Sequence, residues 1–137
     1  MSVNRPPPYT GGCLCGQVRY VAEGEALNIR ACHCRLCQKA TGGAFFARAV
    51  FPAAAVRREG ETRAYPSSER LARLSCARCG SLVYAQPLDR PQFISVGLST
   101  LDDPDALTPD MHIWVSAKPA WLQLADGLPQ HPEGVPW

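Results

Sequence analysis

Short runs of alternating apolar and polar residues dominate this 137-residue chain, and most of them end at glycine or proline. Such runs are typical of β-strands separated by tight turns. The predicted strands cover residues 17–22, 44–51, 62–65, 71–74, 82–85, 92–97 and 111–115. This pattern predicts a mainly all-β domain.

One short helix is predicted, over residues 35–41. Gly42 and Gly43 follow it, and glycine is common just after the last turn of a helix. The 13 prolines of the chain are distributed along its length and disfavour long helices elsewhere. Residues 1–10, with three consecutive prolines, are predicted to be a flexible lead-in, and residues 11–137 a single domain.

Composition and charge exclude several classes of protein. Apolar residues make up 46% of the chain and charged residues 19%, as in ordinary globular proteins. The net charge of +2 is too small to indicate nucleic acid binding. No apolar run approaches the roughly 18 residues that a membrane-spanning helix needs. The first residues lack the apolar core of a secretion signal, so a cytoplasmic protein is expected.

Cysteine supplies the candidate chemistry, with seven residues in three groups. The groups are Cys13 and Cys15, then Cys32, Cys34 and Cys37, then Cys76 and Cys79. An odd number prevents complete internal pairing, and cytosolic thiols are kept reduced. Metal binding is therefore favoured, with a disulfide framework as the alternative.

The first and last groups together predict a closed metal site. A tight turn in Cys76-x-x-Cys79 brings two sulfurs to one ion, as in zinc knuckles. Side chains alternate on extended backbone, so Cys13 and Cys15 are expected to present both sulfurs on one face. We call these four residues the four-cysteine cluster. Four thiolates around one zinc ion are typical of structural sites. The alternative is that these cysteines are small buried apolar residues.

The middle group, Cys32, Cys34 and Cys37, has only three sulfurs, and we call it the three-cysteine cluster. Catalytic zinc sites use three protein ligands and leave one position for water or substrate. The alternative is an inert site that His33 or His112 completes. Alternation points His33 away from the neighbouring sulfurs, so it is expected near the metal without binding it, or at the surface.

Four blocks of the sequence together resemble one known family. The blocks are Gly12-Cys13-Leu14-Cys15-Gly16, then Cys32-His33-Cys34-Arg35-Leu36-Cys37-Gln38-Lys39-Ala40-Thr41-Gly42-Gly43-Ala44-Phe45, then Cys76-Ala77-Arg78-Cys79-Gly80, then His112-Ile113-Trp114-Val115-Ser116-Ala117-Lys118-Pro119-Ala120-Trp121. In order and spacing they resemble the glutathione-dependent formaldehyde-activating enzyme family, which includes centromere protein V.

The resemblance implies a fold, two metal ions and a reaction. The fold would be a β-tent of twisted antiparallel sheets around zinc, formed by residues 11–137. The four-cysteine cluster would hold a structural zinc ion and the three-cysteine cluster a catalytic one. The implied activity is that of a carbon–sulfur lyase, which joins or cleaves glutathione and formaldehyde as S-hydroxymethylglutathione.

Three further side chains are candidates for the site of such an enzyme. His112 is a candidate proton carrier or anchor near the second zinc, and the alternative is a hydrogen-bonded structural histidine. Lys118 and Arg35 are candidates for binding the carboxylates of a glutathione-like ligand, and the alternative is that each is a solvated surface charge.

Three functional classes remain open from the sequence. The first is an enzyme that acts on the adduct of a small thiol such as glutathione. The second is a non-catalytic zinc module that binds a protein partner. The third is a thiol-redox or metal-handling protein that uses the three-cysteine cluster. Zinc suits tetrahedral thiolate sites, although iron also binds them.

Overall fold

The computed structural model describes residues 4–136, and residues 1–3 of the predicted lead-in lie outside the described residues. The chain is mainly β, as the sequence predicts. Its ten strands are β1 (Tyr9–Gly12), β2 (Arg19–Ala22), β3 (Asn28–Cys32), β4 (Phe46–Pro52), β5 (Val56–Glu59), β6 (Thr62–Pro66), β7 (Leu71–Cys76), β8 (Leu82–Pro87), β9 (Phe93–Gly97) and β10 (Met111–Ile113).

The strands form two sheets of unequal size. The smaller sheet has three antiparallel strands in the order β1-β2-β5. The larger sheet has seven strands in the order β10-β3-β4-β9-β8-β7-β6. Every pair in it is antiparallel except β10 and β3, which run parallel.

The main core lies where the smaller sheet packs against the larger one. Tyr20 of β2 meets Tyr84 of β8 edge to face, with 5.7 Å between ring centroids. A second, smaller core contains Cys32 and Cys37 together with Ile113 of β10. Side chains alternate across a strand, so the larger sheet buries apolar residues on both faces.

One α-helix, α1 (Arg35–Thr41), occurs among the described residues, and the prediction for this segment is confirmed. Gly42 follows it in the left-handed conformation (φ 71°), where glycine carries no steric penalty. Its N–H donates to the carbonyl of Gln38 at 2.8 Å, which closes the last turn. Within residues 4–136, no helix is long and apolar enough to span a membrane.

Strand β1 begins at Tyr9, within the residues that the sequence assigns to the lead-in. Tyr9 is buried and its hydroxyl donates to the carbonyl of Arg5 at 2.7 Å. The N–H of Arg5 donates to the carbonyl of Ala106 at 2.9 Å, so this part of the lead-in is attached to the domain.

Sequence periodicity missed β1, β3 and β5 for different reasons. In β1, Gly11 looks like a turn residue, but a Cβ there would lie 2.4 Å from the Tyr20 hydroxyl, so close approach requires glycine. In β3 the alternation is hidden because Arg30 is buried. In β5 the exposed charges of a sheet edge replace the apolar pattern.

The last predicted strand is shorter than expected. β10 ends at Ile113, and Trp114 adopts the left-handed conformation with φ 58°. A 3-10 turn, Val115–Ala117, follows. A strand that continued past Ile113 would have placed Trp114 and Ser116 on the same face as His112. Because β10 ends at Ile113, alternation does not fix the side of these two residues.

Candidate metal centres

The four-cysteine cluster assembles where the loop after β1 meets the turn between β7 and β8. One ligand atom from each of the four cysteines lies within 4.8 Å of the others. The Cys13 and Cys15 sulfurs are 3.6 Å apart, and the Cys15 and Cys76 sulfurs 3.8 Å apart. Zn–S bonds of about 2.3 Å place tetrahedral sulfurs about 3.8 Å apart, so the donor set fits zinc.

The local backbone of this cluster differs from the prediction at one point. Cys13 and Cys15 lie at a turn, in which the N–H of Gly16 donates to the carbonyl of Cys13 at 3.2 Å, and not on extended backbone. Backbone N–H groups also donate to the sulfurs, from Val18 to Cys13 at 3.2 Å and from Arg78 to Cys76 at 3.4 Å. Such donors stabilise the thiolate form that metal binding requires.

Ser81 connects the two loops of the four-cysteine cluster. Its hydroxyl oxygen accepts from the N–H of Leu14 at 3.1 Å and lies 3.1 Å from the Cys79 sulfur. With the oxygen accepting from Leu14, the hydroxyl hydrogen is available to Cys79. This contact is the largest cause that lowers the pKa of Cys79 to about 5. Ser81 therefore favours the thiolate and links two distant segments.

The three-cysteine cluster forms where β3 leads into α1. Cys32 ends β3, Cys34 caps α1, and Cys37 lies in the first turn of the helix. The N–H of Cys37 donates to the Cys34 sulfur at 3.4 Å, which is the cap of the helix. The three sulfurs lie within 4.8 Å of one another. Within residues 4–136, no other Cys, His, Asp or Glu side chain belongs to this group.

The three thiols also interact strongly with one another. Hydrogen bonding with Cys32 and then with Cys37 lowers the pKa of Cys34. Hydrogen bonding with Cys34 and then with Cys37, together with burial, raises the pKa of Cys32. Close sulfurs that share protons in this way are the donor set that a thiophilic ion such as zinc binds, because the ion replaces the protons. Both clusters could therefore hold a metal ion.

His33 and His112 do not belong to either cluster. His33 is fully buried, and its Nε2 lies 2.9 Å from Nδ1 of His112. His112 Nε2 lies 2.7 Å from the Asp126 carboxylate. In the register of β10 and β3, His112 pairs with Ala31, so its side chain and that of Cys32 point to opposite faces.

These contacts separate the alternatives for both histidines. The structure places His112 in a hydrogen-bonded chain with Asp126 and His33, and does not bring it to the sulfurs of the three-cysteine cluster. The expectation that His33 lies at the surface is wrong, because its side chain is enclosed. Burial and then the neighbouring His112 lower the pKa of His33, which favours the neutral ring.

A cavity of about 510 Å³ lies over the three-cysteine cluster, and we call it the arginine-lined cavity. Its volume is in the range of small-molecule sites. All three cysteines of the cluster line it. The charged side chains on its wall are Arg30, Arg48, Arg70, Arg73, Arg90 and Asp89. Asp89 is the one carboxylate among these lining residues, so the cavity favours anions.

Arg73 is the arginine nearest to the sulfurs. Its Nη2 donates to the Cys37 sulfur at 3.4 Å and its Nε donates to the Ser67 hydroxyl at 3.0 Å. The guanidinium also lies over the Phe46 ring, 5.9 Å from the centroid. A cation beside a thiolate offsets the negative charge that three cysteines bring to one ion.

Arg35 and Lys118 are not among the residues that line the arginine-lined cavity. Arg35 lines a separate surface cavity of about 530 Å³ and donates to the side-chain oxygen of Gln38. Lys118 donates from Nζ to the carbonyls of Leu122 at 2.6 Å and Pro119 at 3.3 Å. Neither side chain therefore contributes to the wall of the cavity that the three-cysteine cluster lines.

The sequence-based prediction did not identify the arginines that line the cavity as candidate binding residues. Each stands alone in its strand or loop, as Arg73 does within Leu-Ala-Arg-Leu, and an isolated arginine usually indicates a surface position. A basic residue between apolar residues of a strand was the available signal. Its partner, Cys37, is 36 residues away, and no local pattern connects them.

The comparisons with known proteins agree with the fold and with the cysteine pattern. The sequence profile of the family described as "Glutathione-dependent formaldehyde-activating enzyme" matches residues 8–117. None of the curated proteins matches the chain. The crystal structure of a Rhodobacter sphaeroides protein superposes with a TM-score of 0.56, at 23% identity, over 73% of this chain and 91% of that one. At this identity the structural likeness shows the fold alone.

Proposed function

Because this chain belongs to the glutathione-dependent formaldehyde-activating enzyme family, we propose that it is a zinc-dependent carbon–sulfur lyase. Its proposed reaction joins a small thiol such as glutathione to formaldehyde, or cleaves their adduct, S-hydroxymethylglutathione. The observation that carries the proposal is the three-cysteine cluster at the wall of the arginine-lined cavity, with no fourth protein ligand among residues 4–136.

The residues of the three-cysteine cluster fit a catalytic rather than a structural ion. Cys32, Cys34 and Cys37 would hold one zinc ion, whose chemistry is that of a Lewis acid that favours the thiolate form of a thiol. Catalytic zinc sites commonly have three protein ligands. A structural site completed by histidine is disfavoured, because no nitrogen of His33 or His112 belongs to the group of ligand atoms that Cys32, Cys34 and Cys37 form.

The walls of the cavity would bind and orient the substrate. Glutathione carries two carboxylates, and guanidinium groups bind carboxylates in bidentate geometry. Arg48 and Arg70 both line the cavity, and the side chain of Arg70 is exposed at its rim. Arg48 and Arg70 therefore replace Arg35 and Lys118 as the proposed contacts of a glutathione-like ligand.

The direct test measures formation of the carbon–sulfur bond against the uncatalysed rate. The zinc-loaded protein is mixed with glutathione and formaldehyde, and the adduct is followed by proton NMR exchange. Cys34→Ser is expected to reduce the rate to the uncatalysed one. Lys39→Gln, on an exposed side chain of the same helix, serves as the matched control and is expected to keep the wild-type rate.

Two outcomes would contradict this proposal. If the wild-type protein does not exceed the uncatalysed rate, it is not a lyase of this substrate pair. If Cys34→Ser retains the wild-type rate, the three-cysteine cluster is not the catalytic site. Metal analysis of both proteins is part of the test, and loss of one zinc per chain is expected for Cys34→Ser.

A thiol-redox function is the second candidate, and one observation favours it. Cys34 is partly exposed and its pKa is lowered, which are features of reactive cysteines. This function predicts a disulfide within the three-cysteine cluster after treatment with oxidised glutathione. Mass spectrometry of the zinc-loaded protein decides between the candidates, because bound zinc is expected to prevent this oxidation in a lyase. Both functions suit a reducing compartment such as the cytoplasm.

A further inference from the structure

Arg73 is an unusual arginine for a soluble domain. It lies in the middle of β7 and is only 6% exposed. Among residues 4–136 no carboxylate lies within ion-pair distance of its guanidinium. A buried cation is costly unless it is paired and hydrogen-bonded. In the metal-binding form the Cys37 thiolate offsets part of this charge, and Nη1 of the guanidinium is still available to a second partner in the cavity that Arg73 lines.

The hydrogen bonds of Arg73 show where that partner belongs. Nε and Nη2 are used by Ser67 and by the Cys37 sulfur. The remaining nitrogen, Nη1, is buried and has no hydrogen-bond partner among the described residues. Both Nη atoms are attached to one carbon in a rigid plane. Because Nη1 is enclosed, an acceptor from the cavity reaches it only when the groups that cover it move slightly, and the acceptor then lies beside the sulfur of Cys37.

The proposed reaction creates an anionic acceptor close to a sulfur. The thiol gives its proton to water, and the thiolate then attacks the carbon of formaldehyde. The carbon–sulfur bond forms, the π bond of the carbonyl breaks, and its electron pair moves to the oxygen. This alkoxide takes a proton from water. Cleavage of the adduct reverses these steps through the same alkoxide.

We propose that Arg73 is a catalytic residue of this reaction, which donates from Nη1 to the carbonyl oxygen as that oxygen becomes an alkoxide. This inference rests on the proposed function. Donors that point at a developing oxyanion in a site shielded from water stabilise the transition state more than the ground state. Nη2 fixes the guanidinium on Cys37, so Nη1 is oriented before the substrate arrives.

Three arginine variants test this role in the zinc-loaded protein. Arg73→Gln is expected to reduce kcat about 100-fold, the usual effect of removing one oxyanion donor, with little change in KM for glutathione. Arg73→Lys keeps the charge but not the planar fork, and is expected to recover only part of that loss. The matched control is Arg63→Gln, because Arg63 is exposed on β6, next to β7, and does not line the cavity.

A binding measurement provides a readout that does not depend on turnover. Thioglycolate and ethanethiol are similar in size, but only thioglycolate has an anionic oxygen near its sulfur. Calorimetry with the zinc-loaded wild type is expected to show at least about 10-fold tighter binding of thioglycolate, since hydrogen bonds between charged groups are the stronger ones. Arg73→Gln is expected to remove this preference. Arg70→Gln, which removes an exposed charge of the same cavity, is expected to remove less of it.

The outcomes separate this inference from the proposed function. Wild-type kcat in Arg73→Gln, or an equal loss of preference in Arg70→Gln, would overturn the role of Arg73. If Arg73→Gln loses zinc or unfolds, Arg73→Lys decides: restored zinc with reduced kcat supports the role, and restored zinc with full kcat overturns it. If the wild type forms no carbon–sulfur bond above the uncatalysed rate, the proposed function fails, while the thiol preference still tests Nη1 as an anion donor.

Discussion

The two cysteine clusters present the same ligand atom in very different settings. The four-cysteine cluster joins segments that are far apart in the sequence, with Cys15 and Cys76 separated by 61 positions. The three-cysteine cluster lies within six consecutive residues, Cys32 to Cys37. A metal ion in the first closes a long loop, whereas an ion in the second closes almost none. Metal binding is therefore expected to stabilise the fold mainly at the four-cysteine cluster.

The two clusters also differ in what surrounds their sulfurs. The sulfurs of the four-cysteine cluster receive hydrogen bonds from backbone N–H groups and from Ser81, which is how a permanent site is built. The three-cysteine cluster instead faces a cavity and a guanidinium with a nitrogen that has no partner among the described residues. One cluster is completed by the protein, and the other faces a space for a ligand.

Strand β7 connects the two clusters. Cys76 packs in the main core and belongs to the four-cysteine cluster, whereas Arg73 lines the cavity over the three-cysteine cluster. Residues three apart on a strand face opposite sides, so one strand serves both. A metal ion at the four-cysteine cluster would therefore also help to keep Arg73 in register with its neighbours.

The largest expected contrast is between Cys79→Ser and Cys34→Ser. Cys79→Ser removes a ligand from a site whose metal contributes on the order of 10 kcal/mol to folding, so it is expected to give insoluble or unfolded protein. Cys34→Ser is expected to fold, with an unfolding free energy within about 2 kcal/mol of wild type. Urea unfolding and metal analysis check both, and equal behaviour would show that the clusters do not divide their tasks in this way.

Removal of metal by a chelator provides the second contrast. The ion of the three-cysteine cluster has three protein ligands and a cavity beside it, so it is expected to leave first and to take the activity with it. The second ion is expected to leave only as the protein unfolds. Metal release and circular dichroism are recorded on the same sample. Simultaneous release of both ions would contradict the comparison.

Ser81→Ala is expected to have a moderate effect, confined to the four-cysteine cluster. The substitution removes the acceptor for the Leu14 N–H and the hydrogen bond to Cys79. A loss of about 1–2 kcal/mol in unfolding free energy is expected, with unchanged kcat. Ser99→Ala, at an exposed serine, is the control. A fall in kcat without a change in stability would show that the two clusters are coupled through β7.

Asp102→Asn is expected to have the smallest effect, and one that depends on pH. Arg19 and Thr10 donate to the Asp102 carboxylate and hold its pKa at about 2, below its ordinary value of 3.8. The carboxylate therefore stabilises the folded state fully above about pH 4, and this contribution is lost as pH falls toward 2.

The Asp102 pair is exposed to solvent, so its contribution is expected to be under about 1 kcal/mol at neutral pH. Thermal unfolding between pH 2 and pH 7 checks the effect, with the exposed Asp105→Asn as the control. Because Asp102 links β2 and β1 on the side of the four-cysteine cluster, kcat is expected not to change. If thermal unfolding of Asp102→Asn depends on pH as that of the wild type does, the Asp102 carboxylate is not the source of this stability.

The sequence by itself determined the sets of cysteines and much of the secondary structure. Ligand groups such as Cys76-x-x-Cys79 and Cys32-x-Cys34-x-x-Cys37 have a spacing that local backbone geometry already constrains. The resemblance to the family rested on these groups and is confirmed. Helix α1 was predictable because Gly42 ends it. All of these features depend on neighbours within a few positions.

Only the tertiary structure decided which distant side chains meet the two clusters. Arg73 lies on β7, and Cys37 lies in α1, which follows β3. In the larger sheet β8, β9 and β4 lie between β7 and β3, and this strand order brings the Arg73 guanidinium to the Cys37 sulfur. His112 faces His33 and Asp126, and not the sulfurs, because β10 pairs parallel to β3 in one register. A shift of one residue would reverse the face of every side chain in a strand. Such pairings depend on the packing of whole sheets, which no local pattern of residues contains.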